Sequence, residues 1–357
     1  MADPRVLFVY LKPTSFVRDD GAMLREHYDV SAFHFDVEQA SSARGLLTLW
    51  ARQLRWLLRE LPQADLVLGW FADHHMALPV LLARWFGVPT AVILGGMDCN
   101  WLPEYDYGVW DSRWRGPLVR WIVRRADLLP SVSASLLEAE ERYSKWPERR
   151  RNGIRVHVPA LGTPHPVVEL GFDPGAWPPG PADRDRTVTT VGFIDSERTY
   201  KIKGIDLLLE AARRLPAASV RVVGVAPAFA DRLRRRGLVP DNVELRPPRP
   251  REALSAVYQK TSVYAQLSRV EAFGLVVGEA MLSGCIPVVS PVGQLPRLVG
   301  DVGAVVERPD PEHIASVLTQ ALNGPAERAA ARRRIETRFS RTRRDRRLRS
   351  VLETLRE

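Results

Sequence analysis

Glu271-Ala-Phe-Gly-Leu-Val-Val-Gly-Glu279 sets two carboxylates eight positions apart, on either side of an apolar run that contains two glycines. The pattern predicts a loop that ends at Phe273-Gly274 and a helix that begins there, with Glu279 about one turn inside it. The first backbone N–H groups of a helix have no partner within it, so they form a site for phosphate. Two carboxylates beside such a site suit a nucleotide sugar, because that ligand has hydroxyl groups at both ends of a diphosphate.

Short runs of β-branched residues alternate with helical segments on both sides of this stretch. The alternation predicts parallel sheets, and therefore an α/β fold with two doubly wound, Rossmann-like domains that face each other across a cleft. Ligands of such sheets bind beyond the carboxyl ends of the strands. The predicted strands are Val6–Tyr10, Tyr28–Phe35, Leu66–Trp70, Thr90–Leu94 and Leu128–Ser131 in the first half, and Thr187–Val191, Ser219–Val223, Val243–Leu245, Val263–Gln266, Ile286–Ser290 and Ala304–Val306 in the second.

A proline-rich segment separates the two halves. All ten tryptophans lie at or before Trp177, and Pro-Pro-Gly-Pro-Ala follows directly, a sequence that neither a helix nor a central strand tolerates. We therefore predict a hinge near 160–185, with a first domain at 1–165 and a second at 166–335. The arginine-rich tail predicts one or two helices from Ala329, and a terminal helix over 336–357 is expected to cross back and pack on the first domain.

Composition narrows the class of protein. The 357 residues are 45% apolar and 26% charged, which is ordinary for a globular protein of two domains. No apolar run approaches the roughly 18 residues of a membrane span, and the N-terminus lacks the features of a signal peptide. Cys99 and Cys285 lie in separate halves, so we expect a reduced, cytoplasmic protein without disulfides. The net charge of +9 favours anionic partners: phosphates, a membrane surface or nucleic acid.

A second signal precedes the two glutamates in the same half. Lys203-Gly204-Ile205-Asp206 follows the strand that ends at Val191-Gly192 and leads into a helix predicted over Leu207–Leu215. Only five of the 51 basic residues are lysines, and Lys201 and Lys203 lie together in this loop. A lysine ammonium is a compact charge that suits phosphate oxygens in a crowded loop. A lone Lys-Gly pair is usually a solvated loop, but this pair shares a domain with the glutamates.

Taken together, these segments resemble the retaining glycosyltransferases of family 4, which carry the EX7E spacing and the two-domain GT-B fold. In the first half, Gly95-Gly96-Met97-Asp98 and Phe71-Ala-Asp73-His74 resemble a subgroup of that family. The resemblance implies an enzyme that moves a sugar from a nucleoside diphosphate to a hydroxyl acceptor, without a cofactor. The matching segments of the second half are Val191-Gly192, Lys203 to Asp206, Val222-Val-Gly224, Ser268 to Ser290, Gly293 and Gly303.

The resemblance also implies a role for each donor-side residue. Glu279 would bind the ribose hydroxyls, Glu271 the hydroxyls of the sugar, and Lys203 the diphosphate. A lysine and fixed backbone dipoles would stabilise the charge that develops on the leaving diphosphate, while the acceptor attacks the face that the diphosphate leaves. The N–H groups that would face the phosphates are those of the helix start, Phe273, Gly274 and Leu275.

The donor side departs from the family pattern at two positions. Phe193 stands where an arginine usually follows Gly192, and Arg198 or Lys201 is a hypothetical source of the missing charge. Arg297 stands where a glutamate is common, so no role is transferred to it.

The first half departs from the pattern at two further places. The loop after the first strand lacks the usual glycine pair and contains Ser15 and Arg18, which we assign to the acceptor side. The histidine often found after the fourth strand is replaced near Gly96, and His74 or His75 is an alternative by position. A surface or packed histidine is about as frequent, so Asp98 is preferred as a contact for the sugar or acceptor.

Three further patterns have ordinary explanations. A helix over Leu47–Leu61 has leucines on one face and arginines on the other, which favours a core-packed surface helix over a membrane-binding one. Tryptophan and arginine alternate over residues 110–125, which indicates a lipid headgroup surface or an anionic or carbohydrate acceptor. Asp183-Arg-Asp185 has the form of a metal-binding motif but lies in the linker. No other acidic or histidine cluster has ligand spacing, so no obligatory metal is expected.

Two other functions remain open: a nucleotide-sugar epimerase or hydrolase, and an inactive basic protein that binds other molecules. The transferase is preferred because the donor-side residues are intact and the positive charge is spread over every helix. We therefore expect a nucleotide sugar as donor, a sugar, lipid-linked or other hydroxyl acceptor, and no nucleic acid. An anionic membrane surface is a further candidate partner, which would place a cytoplasmic enzyme of glycan, polysaccharide or glycolipid synthesis on the inner face of the membrane.

Overall fold

The protein is represented by a computed structural model, which describes residues 3–39, 42–141, 143, 150–324 and 327–356. Contacts divide the described chain into two compact units. The first unit comprises the described residues of Met1–Ala139, Asn152–Glu169 and Arg344–Glu357, and the second those of Glu140–Arg151 and Leu170–Arg343. Each unit is an α/β structure built on one parallel sheet, as the sequence predicts.

The first unit has a four-stranded parallel sheet with the order β2-β1-β3-β4. Every residue of β3 and β4 is buried, which agrees with their continuous apolar sequences. The strand order reverses between β1 and β3, so the loops that follow these two strands emerge side by side. The four strands are β1 (Arg5–Tyr10), β2 (Asp29–His34), β3 (Leu66–Trp70) and β4 (Thr90–Ile93).

Helices cover the sheet of the first unit. The longest of them, α2, begins at an N-cap formed by Ser42, whose side chain accepts a hydrogen bond from the Gly45 amide. The described helices in this part of the chain are α1 (Ser15–Leu24), α2 (Ala43–Glu60), α3 (Ala77–Phe86), α4 (Arg115–Val123) and α5 (Ile154–His157). Two short strands, β5 (Ala139–Glu141) and β6 (Arg150–Asn152), form a separate two-stranded sheet.

The second unit has a six-stranded sheet with the order β12-β11-β10-β7-β8-β9, and its strand pairs are parallel. Counted from β7, this is the 3-2-1-4-5-6 order of a doubly wound Rossmann sheet. The order reverses between β7 and β10, and ligands of such sheets bind at that reversal. The strands are β7 (Thr187–Ile194), β8 (Ser219–Val225), β9 (Val243–Arg246), β10 (Val263–Gln266), β11 (Ile286–Val289) and β12 (Ala304–Val305).

Arginines hold the carboxyl ends of two helices in the second unit. Arg184 donates to the carbonyl oxygens of Thr261 and Ser283 at 2.6 Å each, and Arg332 donates to that of Leu282 at 2.5 Å. These carbonyls lie at or just after the ends of helices, where they lack partners within the helix. The helices are α6 (Glu197–Ile202), α7 (Ile205–Ala212), α8 (Pro227–Arg235), α9 (Arg251–Gln259), α10 (Leu275–Leu282), α11 (Leu295–Val299), α12 (Pro311–Asn323) and α13 (Arg328–Arg338). The last helix, α14 (Arg341–Glu353), belongs to the first unit from Arg344 onward.

Several predicted elements differ from the structure. Leu128–Ser131 makes isolated parallel bridges to β4 and its continuation and does not form a full strand. The helix predicted over Leu207–Leu215 begins two residues earlier and ends at Ala212, because Gly204 takes a left-handed conformation and starts it. The tail contains two helices, α13 and α14, in agreement with the one or two helices predicted from Ala329; the terminal helix over 336–357 remains a prediction. The predicted domain ranges remain predictions, although the contact division assigns 140–151 to the second unit.

Candidate functional site

The two charged motifs of the second unit meet at the reversal of strand order. Lys203 caps the carboxyl end of α6, the short helix that follows β7, and Glu271 lies in the loop after β10, the neighbouring strand. The Lys203 Nζ donates to the Glu271 Oε2 at 2.9 Å. The Lys203 ammonium has three protons to donate, so it can bind Glu271 and a phosphate oxygen together.

Glu271 is also connected to a chain of buried polar side chains on β10. The Gln266 Nε2 lies 3.5 Å from the Glu271 Oε2 and donates to the Ser268 Oγ at 2.7 Å. The Tyr264 hydroxyl lies 3.1 Å from the Gln266 Oε1. Burial raises the pKa of Tyr264 well above its usual value, so this tyrosine stays protonated and remains a donor. This series of hydrogen-bonded side chains fixes the orientation of the Glu271 carboxylate.

A buried ion pair joins the loops that carry Lys203 and Glu271. Arg269, which is 7% exposed, donates to both carboxylate oxygens of Asp206, at 2.7 and 2.9 Å. Arg269 also donates to the carbonyl oxygen of Lys201. A planar guanidinium that binds a carboxylate at two points constrains both partners. Arg269 could not be predicted as a positioning residue, because its partner Asp206 lies 63 positions away along the chain.

Three glycines allow these loops to approach at backbone contact. A Cβ at Gly204 would lie 1.9 Å from the carbonyl oxygen of Leu267, and a Cβ at Gly293 would lie 1.6 Å from that of Glu271. A Cβ at Gly224 would lie 1.9 Å from the carbonyl oxygen of Gly192. Gly204, Gly224 and Gly293 all have positive φ, between 59° and 102°. The glycines of the sequence motif therefore serve close packing between loops.

The helix α10 begins beside Glu271, as the sequence predicts. Gly274 precedes it with φ of 93°, and Leu275 is its first residue. The Phe273 ring is buried and lies 6.1 Å from the ring of Phe172, which in turn occupies the space that a side chain at Gly278 would need. These contacts fix the helix start, whose free N–H groups and dipole favour an anion.

Glu279 lies one turn into α10 and is only 3% exposed. Arg251, the first residue of α9, donates to the Glu279 Oε1 from Nε at 2.9 Å and from Nη2 at 2.8 Å. The Arg251 guanidinium also lies 5.5 Å from the centre of the Trp177 ring. Arg251 holds the Glu279 carboxylate in place. This role was not predicted from the sequence, because no pattern near Arg251 along the chain indicates it.

The remaining donor-side candidates differ in how they are engaged. The Lys201 Nζ is bound to Asp206 at 3.1 Å, which commits its charge to a structural contact. Arg198 lies on α6 and is half-buried. Gly192 and Phe193 lie near the carboxyl end of β7, where the Phe193 side chain is 63% exposed.

Asp98 in the first unit has a different environment from the glutamates. Its side chain is 1% exposed and accepts hydrogen bonds from the backbone N–H groups of Ala72, Gly95 and Gly96, at 2.8 to 3.3 Å. Burial raises the pKa of Asp98, and these hydrogen bonds oppose the rise. The carboxylate therefore holds the loop after β4 against the loop after β3, and direct contact with a sugar would require it to leave these amides.

The loop after β3 contains a compact charged cluster. Asp73 is bound by the Arg115 guanidinium and accepts from the His74 ring at 3.1 Å. Burial raises the pKa of Asp73, but the bonds from His74 and Arg115 outweigh it and the pKa is lowered overall. His75 is fully buried, its Nε2 lies 2.9 Å from the Trp70 carbonyl oxygen, and burial lowers its pKa to about 3. His75 is therefore a packed, neutral histidine, and His74 is the more accessible of the two.

Ser15 and Arg18 follow the neighbouring strand β1. Ser15 is the first residue of α1, and Arg18 is exposed and donates to the Pro13 carbonyl oxygen at 3.0 Å. The loops after β1 and β3 emerge at the reversal of strand order in this sheet, so Ser15, Arg18 and His74 border one region of the first unit. Gly96 contributes its backbone N–H to Asp98 at 2.8 Å.

Residues 186–338 match the family described as glycosyl transferases group 1. These residues include both glutamates, Lys203 and the whole six-stranded sheet, so this part of the chain is a glycosyl transferase group 1 domain.

Relatives and solved structures extend the similarity to the rest of the chain. A D-inositol 3-phosphate glycosyltransferase of Mycobacterium sp. strain KMS is 34% identical over 275 residues, which are 72% of this chain and 57% of that protein. The chain spans about half the length of the curated relatives it matches.

Two solved structures share the fold. Sucrose-phosphate synthase (tll1590) from Thermosynechococcus elongatus has a TM-score of 0.70 at 17% identity and covers 99% of both chains. Anabaena Alr3699/HepE, in complex with UDP and glucose, has a TM-score of 0.71 at 17% identity and covers 98% of this chain and 99% of its own. These matches extend over both units and establish a glycosyltransferase fold of the GT-B type.

Proposed function

We propose that this protein is a retaining glycosyltransferase that moves a sugar from a nucleoside diphosphate sugar to a hydroxyl acceptor. The observation that carries the proposal is the Lys203–Glu271 pair at the reversal of strand order, beside the start of α10. A lysine and a helix start supply positive charge at one point, and two carboxylates supply acceptors on either side of it. Anabaena HepE has been solved in complex with UDP and glucose and with UDP-glucose, which supports a donor of this chemical class.

In this proposal the donor spans the two glutamates. Lys203 and the N–H groups of Phe273, Gly274 and Leu275 bind the diphosphate, and Glu271 accepts hydrogen bonds from the sugar hydroxyls. Glu279 accepts from the ribose hydroxyls while Arg251 holds its carboxylate, because a carboxylate has about four acceptor positions. Each charge-assisted bond contributes about 1.5–3 kcal/mol. Arg251 is a positioning residue, since it acts through Glu279.

The chemistry follows from the charge on the leaving group. When the bond between sugar and phosphate breaks, negative charge grows on the diphosphate, so Lys203 and the helix start bind the transition state more strongly than the ground state. The acceptor hydroxyl attacks the face that the diphosphate leaves, and the leaving phosphate takes its proton. The reaction needs no protein nucleophile and no metal. Ser15, Arg18, His74, Gly96 and Asp98 are proposed to shape the acceptor side.

A donor screen followed by product analysis tests the proposal. We expect the melting temperature to rise with one of the UDP-, GDP- or ADP-linked sugars and not with the unlinked sugar. Nuclear magnetic resonance of the product should show the anomeric configuration of the donor. Inversion would overturn the retaining mechanism. Release of free sugar without transfer would favour a hydrolase, and a lack of stabilisation by every nucleotide, with salt-sensitive DNA binding, would favour the inactive basic protein.

A further inference from the structure

The helix α2 buries only part of the apolar face predicted for it. Leu57 and Leu61 are buried and Trp50 is half-buried, whereas other leucines are exposed. Leu47 is 69% exposed, Leu58 is 49% exposed and Leu54 is 38% exposed. These leucines are seven and four positions apart, so they share one face of the helix. The buried side of α2 consists of Leu49, Gln53, Leu57 and Glu60, and the Gln53 Nε2 donates to the His75 carbonyl oxygen at 2.8 Å. These contacts orient α2 so that Leu47, Leu54 and Leu58 face outward.

The neighbouring helix α3 adds large apolar side chains to this exposed set. Trp85 is 84% exposed, Leu81 is 50% exposed and Phe86 is 43% exposed. Leu81 and Trp85 are four positions apart and share a face, and α3 packs directly against α2. An isolated exposed leucine needs no explanation, but several large apolar side chains exposed on two helices in contact indicate an interaction site. We call this set the leucine–tryptophan surface; it consists of Leu47, Leu54, Leu58, Leu81, Trp85 and Phe86.

The charges around the leucine–tryptophan surface are of one sign. Glu60 is the single acidic residue in the sequences of α2 and α3, and it is 5% exposed and bound to Arg5 and Arg59. The exposed charges of the two helices are therefore all positive. They are Arg44, Arg52, Arg55, Arg59 and Arg84.

We infer that the leucine–tryptophan surface binds an anionic lipid bilayer, with its apolar side chains among the lipids and its arginines at the headgroups. Amphipathic helices with leucine and tryptophan on one face and arginine beside it lie in the plane of such an interface. Each arginine near an anionic surface adds to the attraction. A second copy of the chain fits less well, because a two-fold interface would bring the arginines of one copy against those of the other. Among the described residues, no helix is both long and apolar enough to span a bilayer, so the contact is peripheral.

The tryptophan-arginine segment at residues 110–125 is a weaker candidate for this contact. The Trp110 ring stacks on His157 at 4.6 Å, and the Arg125 guanidinium covers the Trp121 ring at 4.8 Å. These two rings are engaged with groups of the protein itself. Trp114 alone is largely exposed among the three tryptophans of this segment, and it supplies a matched control.

Flotation with lipid vesicles tests the inference on the full chain. Vesicles of phosphatidylcholine with about one third phosphatidylglycerol should bind the protein, and vesicles of phosphatidylcholine alone should bind it at least tenfold less. Leu47→Ser with Trp85→Ser should reduce binding at least tenfold. Arg52→Gln with Arg55→Gln should reduce binding about tenfold or more and flatten its dependence on salt. The matched controls are Trp114→Ser and, for charge, Arg234→Gln with Arg235→Gln on α8.

The outcomes separate the bilayer from its alternatives. Because the substituted leucine and tryptophan are exposed, the variants should keep the melting temperature of the unmodified protein. Lack of binding to anionic vesicles, or equal loss in both control variants, would overturn the inference. A dimer in light scattering that the Leu47→Ser/Trp85→Ser variant abolishes, without vesicle binding, would assign the surface to a second copy. The assay contains no donor, so its result is independent of the proposed reaction.

Discussion

The second unit carries its candidate site on a few adjacent segments, whereas the first unit assembles its polar groups for its own structure. Lys203 binds Glu271, Gln266 lies against Glu271, and Arg251 holds Glu279, with Glu271 beside the start of α10 and Glu279 one turn inside it. Asp98 is instead bound by three backbone amides, and Asp73 by Arg115 and His74. A spacing motif therefore identifies a functional site when its residues share one loop and one helix. It gives little information about a site when the polar residues serve to join loops.

The largest effect is expected at Lys203. Lys203→Ala removes the charge proposed to stabilise the leaving diphosphate, so transfer should fall about 10²–10³-fold, as for loss of one transition-state donor. Lys201→Ala is the matched control, because its ammonium is bound to Asp206, which Arg269 also holds; its activity should fall less than about tenfold. Initial rates with the donor found by the thermal screen measure both. Equal losses of transfer activity in the two variants would contradict the separate roles assigned to Lys203 and Lys201.

A backbone substitution distinguishes loop packing from direct chemistry. Gly293→Ala places a Cβ 1.6 Å from the Glu271 carbonyl oxygen at φ of 59°, so one loop must move. We expect a loss of about 2–4 kcal/mol in the free energy of unfolding, together with weaker donor binding.

The control for this variant is Gly237→Ala, which has φ of 64° and nothing within 4 Å of the added atom. It should cost only about 1–2 kcal/mol, the penalty of the left-handed conformation. Urea denaturation measures both free energies, and equal values would show that the contact with Glu271 is relaxed at little cost.

In the first unit, Asp98→Asn separates a structural role from a catalytic one. The variant replaces one accepting oxygen by an amide that donates, so it cannot satisfy all three backbone N–H groups. The free energy of unfolding should fall by about 1–3 kcal/mol, while the donor-induced rise in melting temperature stays the same. A stable variant with lost transfer activity would instead restore Asp98 as a direct contact for sugar or acceptor.

The smallest effect concerns pH. Burial lowers the pKa of His75 to about 3, so the unfolded chain binds its proton near 6.5 while the folded protein excludes it. Its contribution to stability is complete above about pH 6.5 and is lost as the pH falls towards 3. Between pH 7 and 5.5 the free energy of unfolding should fall by about 1.3 kcal/mol from this residue. His75→Gln should remove that part of the dependence in urea titrations at the two pH values, and an unchanged slope would contradict the assignment.

Sequence patterns predicted most of the fold, because strands that are buried on both faces appear in the sequence as continuous apolar runs. The spacing of residues within Glu271 to Glu279 likewise located the start of α10. A helix start, like a buried strand, depends on residues that are neighbours along the chain. The partners Arg251 and Arg269 could not be predicted in this way, because each meets its carboxylate only after strands from distant segments pair. The burial of α2 was predicted only in part. Leu57 and Leu61 of its predicted apolar face are buried, but Leu47 and Leu54 of the same face are exposed.

The close approaches at Gly204, Gly224 and Gly293 have a consequence for how this protein could change its donor. Because these loops touch at the backbone, none of them can be remodelled without disturbing its neighbour. We expect that a laboratory selection for a new nucleotide sugar would leave the three glycines intact. Its solutions should accumulate at side chains that project from the same region, and foremost at Phe193, which is 63% exposed.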